Sequence, residues 1–121
     1  TSMKELRLAV ALKAEQLFIE YMKTEYQKEV INFLRIEREL QNHSQASVAR
    51  LLGISPGQLG NIESFKHPHK YTLKQVFILS QYYNIPIENI FLLNKEQKKL
   101  NISDFVKLII KYQDDKEENK K

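Results

Sequence analysis

All three glycines of the chain, Gly53, Gly57 and Gly60, fall within one stretch of ten residues, LGISPGQLGN from Leu52 to Asn61. Glycine weakens a helix by about 1 kcal/mol relative to alanine, so the clustering must serve something that a side chain would prevent. The clearest helix boundaries in the chain surround it. Ser44 is placed to cap QASVARLL and Gly53 to end it, since glycine accepts the positive φ of a tight turn. Ser55, Pro56 and Gln58 then form an SxxQ capping box with proline at the first helical position. Two short helices joined by a glycine turn are therefore the unit that the rest of the chain must accommodate.

The remainder also reads as helix. Helix formers dominate, prolines and glycines number three each, and no Asn-Gly or Asp-Gly pair marks a hairpin. Near the N-terminus, LRLAVALK alternates as a strand would, but good helix formers continue through Met22 and favour a helix. A second helix is expected from about Glu29 to Leu40, with Val30, Phe33, Leu34 and Glu37 in register and Asn42 suited to a left-handed exit. Thr72 with Gln75 opens another, running to about Tyr83 with Leu73, Val76, Phe77 and Leu79 or Ser80 facing inward, and IPIENIF closes the set. Ser103 is placed to cap ISDFVKLIIKY, whereas QDDKEENKK has no apolar residue and is expected to be disordered.

Composition narrows the class. With 121 residues and 42% hydrophobic content, one domain with a real core is the default. Cysteine is absent, which removes disulfides and thiolate metal sites and agrees with a reducing cytoplasm. No apolar run approaches the roughly 18 to 20 residues needed to span a bilayer, and no secretory h-region is visible. A soluble, cytoplasmic protein without a membrane partner is expected. Thr1 and Ser2, which precede Met3 as an expression scar would, receive no functional reading. The net charge of +4 favours polyanions only mildly, but its distribution is uneven. Residues 1–29 balance to zero, and the excess lies in 30–93 and 94–121, including the acid-free run KHPHKYTLK from Lys66 to Lys74.

A helix, a glycine turn and a second helix form the unit that lays its second helix in the major groove of DNA. Counted from Gln45, Ala49 is fifth, Gly53 ninth and Leu59 fifteenth, with Val48, Leu52, Ile54 and Ile62 at the other positions that must be apolar. Ala49 permits a close helix crossing, while Leu59 and Ile62 seat the second helix on the core. Over about residues 30–93 the chain resembles the lambda-repressor-like, Cro-type helix-turn-helix regulators, also called the xenobiotic-response-element (XRE) type. SQASVARLLGISPGQLGNIES looks like the family's paired helices and TLKQVFILSQYYNIPIENIF like its two following helices.

The resemblance implies an all-α, five-helix domain and several roles. Arg38 and Glu63 stand where the family pairs an arginine with a glutamate, so a partly buried ion pair is implied. Gln45 matches a glutamine that touches the DNA backbone at a helix N-terminus. Family base contacts fall here on Pro56, Gly57 and Asn61. Of these only Asn61 can read a base edge, and Gln58 is a substitute whose capping box competes for the same amide. Gly57 and Gly60 leave the groove-facing side bare so that the backbone can approach DNA; the alternative for Gly60 is close helix packing. The chain departs from the family near Phe65, where a helix-ending glycine is missing, and at His43, where leucine is usual.

Phosphate contacts are expected from Gln45, Arg50, Ser55, Lys66, His67, His69, Lys70 and Tyr71, against the alternative of a solvated surface. His67 and His69 lack the cysteines or carboxylates that would complete a metal site, so neither metal nor cofactor is expected. Asp114, Asp115, Glu117 and Glu118 have no apolar surroundings to shift them and read as solvated charges. No nucleophile, base and orienting group converge, so no enzyme is expected.

Outside the motif, Phe105, Val106, Leu108, Ile109, Ile110 and Tyr112 exceed what one helical stripe requires, and the N-terminal segment is apolar on two faces. Paired recognition helices need a two-fold dimer spanning about 34 Å, so Leu8, Leu12, Phe105, Ile109 and Tyr112 are assigned to homodimerisation, with attachment to the same core as the alternative. The expected organisation is an N-terminal helical extension (1–29), a helix-turn-helix domain (30–93), a C-terminal helix (94–113) and a disordered tail (114–121). The expected function is a sequence-specific DNA-binding transcriptional regulator, a repressor occupying operator DNA. The alternative is a helix-turn-helix used to bind a protein partner, as in an antitoxin, an adaptor or a polymerase-contacting factor.

Overall fold

Short polar caps set most of the helix boundaries. The structure, a computed structural model, describes residues 2–95 and 100–114, apart from the side chains of Ile19 and Glu20. Among the described residues there are seven helices and no strand: α1 (Met3–Tyr21), α2 (Glu25–Leu40), α3 (Gln45–Leu52), α4 (Pro56–Glu63), α5 (Leu73–Tyr82), α6 (Ile87–Leu92) and α7 (Ile102–Gln113). The fold is all-α, with α2 to α6 forming the five-helix domain and α1 and α7 the additional terminal helices. Ser55 and Gln58 form the expected reciprocal box at α4, with bonds of 3.0 and 2.8 Å between each side chain and the other's backbone N–H. Thr72 and Gln75 repeat it at α5. Gly53 ends α3 at φ 71° and Asn42 takes the left-handed exit after α2 at φ 57°.

Two helix starts differ from the sequence reading, each because of a cap. Helix α2 begins at Glu25 rather than Glu29, since Thr24 and Gln27 make a third reciprocal box. Helix α7 is capped by Asn101, whose Oδ1 accepts the Asp104 N–H at 2.8 Å, so Ser103 lies within the first turn. Phe77, expected to face inward, is exposed. The buried stripe of α5 runs through Val76, Leu79 and Ser80, and Phe77 is turned about 100° away from Val76.

The core draws on every helix except α1. Val30, Ile31 and Leu34 from α2 meet Val48, Ala49, Leu59, Ile62, Val76, Leu79, Ile90 and Phe91. Helix α7 closes the far side through Phe105, Leu108, Ile109 and Tyr112. The Tyr112 ring stands edge-on to Phe91 at 5.6 Å, and its hydroxyl donates to the Tyr71 carbonyl at 2.8 Å. This corrects the assignment of Tyr112 to dimerisation: it is a core residue of its own domain. Phe105 and Ile109 are half-buried against that core, which leaves Ile102, Val106 and Ile110 as the exposed apolar residues of α7.

The joint between α1 and α2 ties the ends of two other helices. Gln27 is buried, and its Nε2 donates to the carbonyl oxygens of Tyr112 at 2.7 Å and Asp114 at 3.2 Å, at the C-terminus of α7. Lys23 does the same for α4, as described below. Every described side chain of α1 itself is exposed, Leu8 and Leu12 included. The expected disordered tail lies, beyond Asp114, outside the described residues, with Asp115, Glu117 and Glu118; so do positions 96–99 of the C-terminal segment.

Candidate nucleic-acid interface

Ala49 and Leu59 are fully buried where α3 and α4 cross, which turns the opposite edge of α4 outward. The cap and first turn of α4, Ser55, Pro56, Gly57 and Gln58, are all exposed, and Gly57 shares the outward edge with Asn61 four positions on. The Gln58 Oε1 is held by the Ser55 N–H, but its Nε2 makes no hydrogen bond among the described residues. Asn61 is half-buried and its side-chain amide is likewise unengaged, while its backbone carbonyl is occupied. An amide of this kind presents both a donor and an acceptor.

The glycines of α4 are not required by packing. A Cβ added at Gly60 would meet nothing closer than the Gln45 Oε1 at 3.7 Å, and one at Gly57 nothing closer than the Ser55 Oγ at 3.9 Å. Both are ordinary contact distances with side-chain atoms, and neither residue has a positive φ. The alternative of close helix packing at Gly60 therefore has no neighbour to support it.

One polar cluster fixes α4 relative to the rest of the motif. Arg38 donates from Nε and from a terminal nitrogen to the two oxygens of Glu63, at 2.9 and 2.8 Å, and from its other terminal nitrogen to the His43 carbonyl at 2.8 Å. The side chains are only 11% and 4% exposed. The hydrogen bond to the Glu63 carboxylate raises the guanidinium pKa further, so Arg38 stays charged. Gln45 completes the cluster, its Nε2 donating to Glu63 Oε1 at 2.8 Å. Its amide is thus drawn toward the cluster, on the wall of an open cleft of about 420 Å³ that Arg35, Arg38 and Gly60 also line.

The remaining candidates divide. Arg50, Lys66, His67 and His69 are exposed. The two histidine rings lie 6.2 Å apart, and among the described residues no group of three or more histidine, cysteine or acidic side chains could hold a metal. Ser55 is committed as the α4 cap. Lys70 is half-buried and donates to the Gln113 carbonyl at 3.3 Å. Tyr71 is a correction: it is 1% exposed, part of the core and under the Tyr112 hydroxyl, so it anchors the basic loop from below instead of meeting phosphate. Burial pushes its phenol pKa up.

Sequence reading missed Lys23. Its ammonium donates to the carbonyl oxygens of Asn61 at 3.1 Å, Ile62 at 2.7 Å and Ser64, at the very end of α4. The residue is 4% exposed; burial and the neighbouring Lys28 ammonium push its pKa down to about 8. Nothing in the local sequence distinguishes it from a surface lysine between two helices. The one pointer was the missing glycine near Phe65, which left the α4 carbonyls in need of another partner.

Among the described residues no helix is long and apolar enough to cross a membrane. Residues 34–90, from the second half of α2 into α6, match the family model described as "Helix-turn-helix". No curated protein and no solved structure matches the chain.

Proposed function

We propose that this chain, a member of the lambda-repressor-like helix-turn-helix family through residues 34–90, is a sequence-specific transcriptional repressor that occupies operator DNA. The exposed first turn and outward edge of α4 carry the proposal: Ser55 to Gln58 are all exposed and the Asn61 amide is unengaged, on a helix held from behind by Arg38, Gln45 and Glu63. In this reading Asn61 and Gln58 bond base edges, and Gly57 and Gly60 let the backbone come close. An asparagine or glutamine amide suits adenine in the major groove.

Arg50, Lys66, His67, His69 and Lys70 flank that edge and supply the phosphate contacts, with Ser55 and Gln45 at the N-termini of α4 and α3. The exposed apolar surface of α1, including Leu8 and Leu12, joins two copies so that two α4 helices reach successive major grooves. Such a protein works in the cytoplasm, without a cofactor and without catalysis.

Binding to random duplex DNA across a salt series tests the proposal. Arg50, Lys66 and Lys70 on each copy predict a logarithmic slope steeper than about −2 per copy. A negligible slope would overturn it in favour of a protein partner for the motif.

A further inference from the structure

Helix α4 ends without the usual means. It has no basic residue in its last turn, and Ser64 leaves it in an extended conformation (φ −84°, ψ 132°) with no left-handed glycine to turn its N–H groups back on the final carbonyls. Those carbonyls point along the helix axis and need donors. The Lys23 ammonium, carrying three N–H groups, meets three of them: Asn61, Ile62 and Ser64. A full positive charge against the negative end of the helix dipole strengthens each bond. Lys28 is engaged elsewhere, paired with Glu25 at 3.1 Å and standing over the Phe65 ring at 5.8 Å.

We infer that Lys23 is a positioning residue for DNA reading: by holding the Asn61 carbonyl it fixes the backbone that aims the Asn61 amide. The inference rests on the DNA-reading role of α4 proposed above. Two features separate it from ordinary core stabilisation. First, one of its three acceptors belongs to the residue proposed to read the base. Second, Lys23 comes from outside the matched segment, immediately after α1, so the aim of α4 is set by a residue that adjoins the exposed N-terminal helix. Only Met22 separates the last residue of α1 from Lys23.

The absence of cysteine from the chain makes a direct test available. Lys23→Cys removes the ammonium, and alkylation with 2-bromoethylamine in denaturant, followed by refolding, restores an ammonium of nearly the same reach at that one position. The readout is the ratio of affinities for a duplex selected by the unmodified protein and for random duplex. Partial unfolding lowers both affinities by the same factor, so a purely structural role leaves the ratio unchanged. The expected result is a ratio reduced about tenfold or more in Lys23→Cys, as for loss of a charge-assisted bond, and restored by alkylation. Lys23→Met, which fills the same space without charge, should lose the ratio alike.

A ratio retained in both variants, or not restored by alkylation in refolded protein, overturns the positioning role while leaving DNA reading intact. A lack of any preference in the unmodified protein overturns DNA reading itself, and this inference with it.

Discussion

Replacing Gly60 by alanine should move stability and DNA affinity in opposite directions. The residue lies inside α4 with ordinary helical backbone, and the added methyl would touch only the Gln45 Oε1 at 3.7 Å. No strain opposes it, so the full helix-propensity gain of about 1 kcal/mol should appear as stability. With a urea dependence of about 2 kcal/mol per molar, the unfolding midpoint should rise by about 0.5 M. On the DNA side the same methyl stands on the bare edge beside Gln45, where the backbone is proposed to approach the duplex. Intrusion into a fitted contact costs about 1 to 3 kcal/mol, so affinity should fall by about 5- to 150-fold. Urea unfolding followed by helical dichroism and a duplex-binding titration on the same preparation give both numbers. A higher midpoint with unchanged affinity would refute the access role of Gly60. A lower midpoint would contradict the packing of α4 described here.

Other perturbations follow from named contacts. Glu63→Ala leaves a guanidinium buried without its carboxylate and should cost about 3 kcal/mol in urea unfolding, whereas Arg38→Met with Glu63→Leu should cost much less; equal losses would deny the pair its charge-compensating role. Burial holds the phenol pKa values of Tyr26, Tyr71 and Tyr112 well above the ordinary value of about 10, and that of Tyr83 at about 12. The folded chain therefore binds these protons more tightly than the unfolded chain, so their contribution is intact below about pH 10 and is lost as pH rises through the folded values. Alkaline titration should show tyrosinate absorbance appearing together with loss of helix; ionisation of all tyrosines near pH 10 with helix retained would contradict the buried phenols. Leu8→Glu with Leu12→Glu should yield monomers by sedimentation without changing the unfolding of the α2–α7 core, since both side chains are exposed. Persistence of the dimer would place the contact elsewhere. Asn61→Ala should abolish discrimination among duplexes, whereas Lys70→Ala should weaken all of them alike; the reverse would mean their roles are exchanged.

The parts of this fold legible in the sequence are those set by contacts a few residues apart. Ser55 with Gln58 and Thr72 with Gln75 announce their helices because each box closes over three residues, and Gly53 marks its turn through a backbone preference of its own. The same chemistry at Thr24 and Gln27 is masked because the apolar register of the second helix is clearest only after Val30. Contacts that join distant segments left no local trace. Tyr71 sits in a basic, histidine-rich run and reads as surface, yet its ring is buried and its carbonyl is bonded from position 112. Lys23 acts on residues some forty positions away. The Arg38–Glu63 pair spans 25 positions and is legible only through family resemblance.

The hydroxyl of Tyr112 on the Tyr71 carbonyl, and that of Tyr26 on the Phe91 carbonyl at 2.5 Å, bind together pieces that lie on both sides of the recognisable motif. Trimming a gene fragment to the boundaries of residues 34–90 would remove three of these four aromatic residues, Tyr26, Phe91 and Tyr112, and open the underside of Tyr71 to water. A stretch that keeps these bonds must thus begin before Tyr26 and extend past Tyr112, a minimum length dictated by buried phenols rather than by the similarity of the motif to its kin.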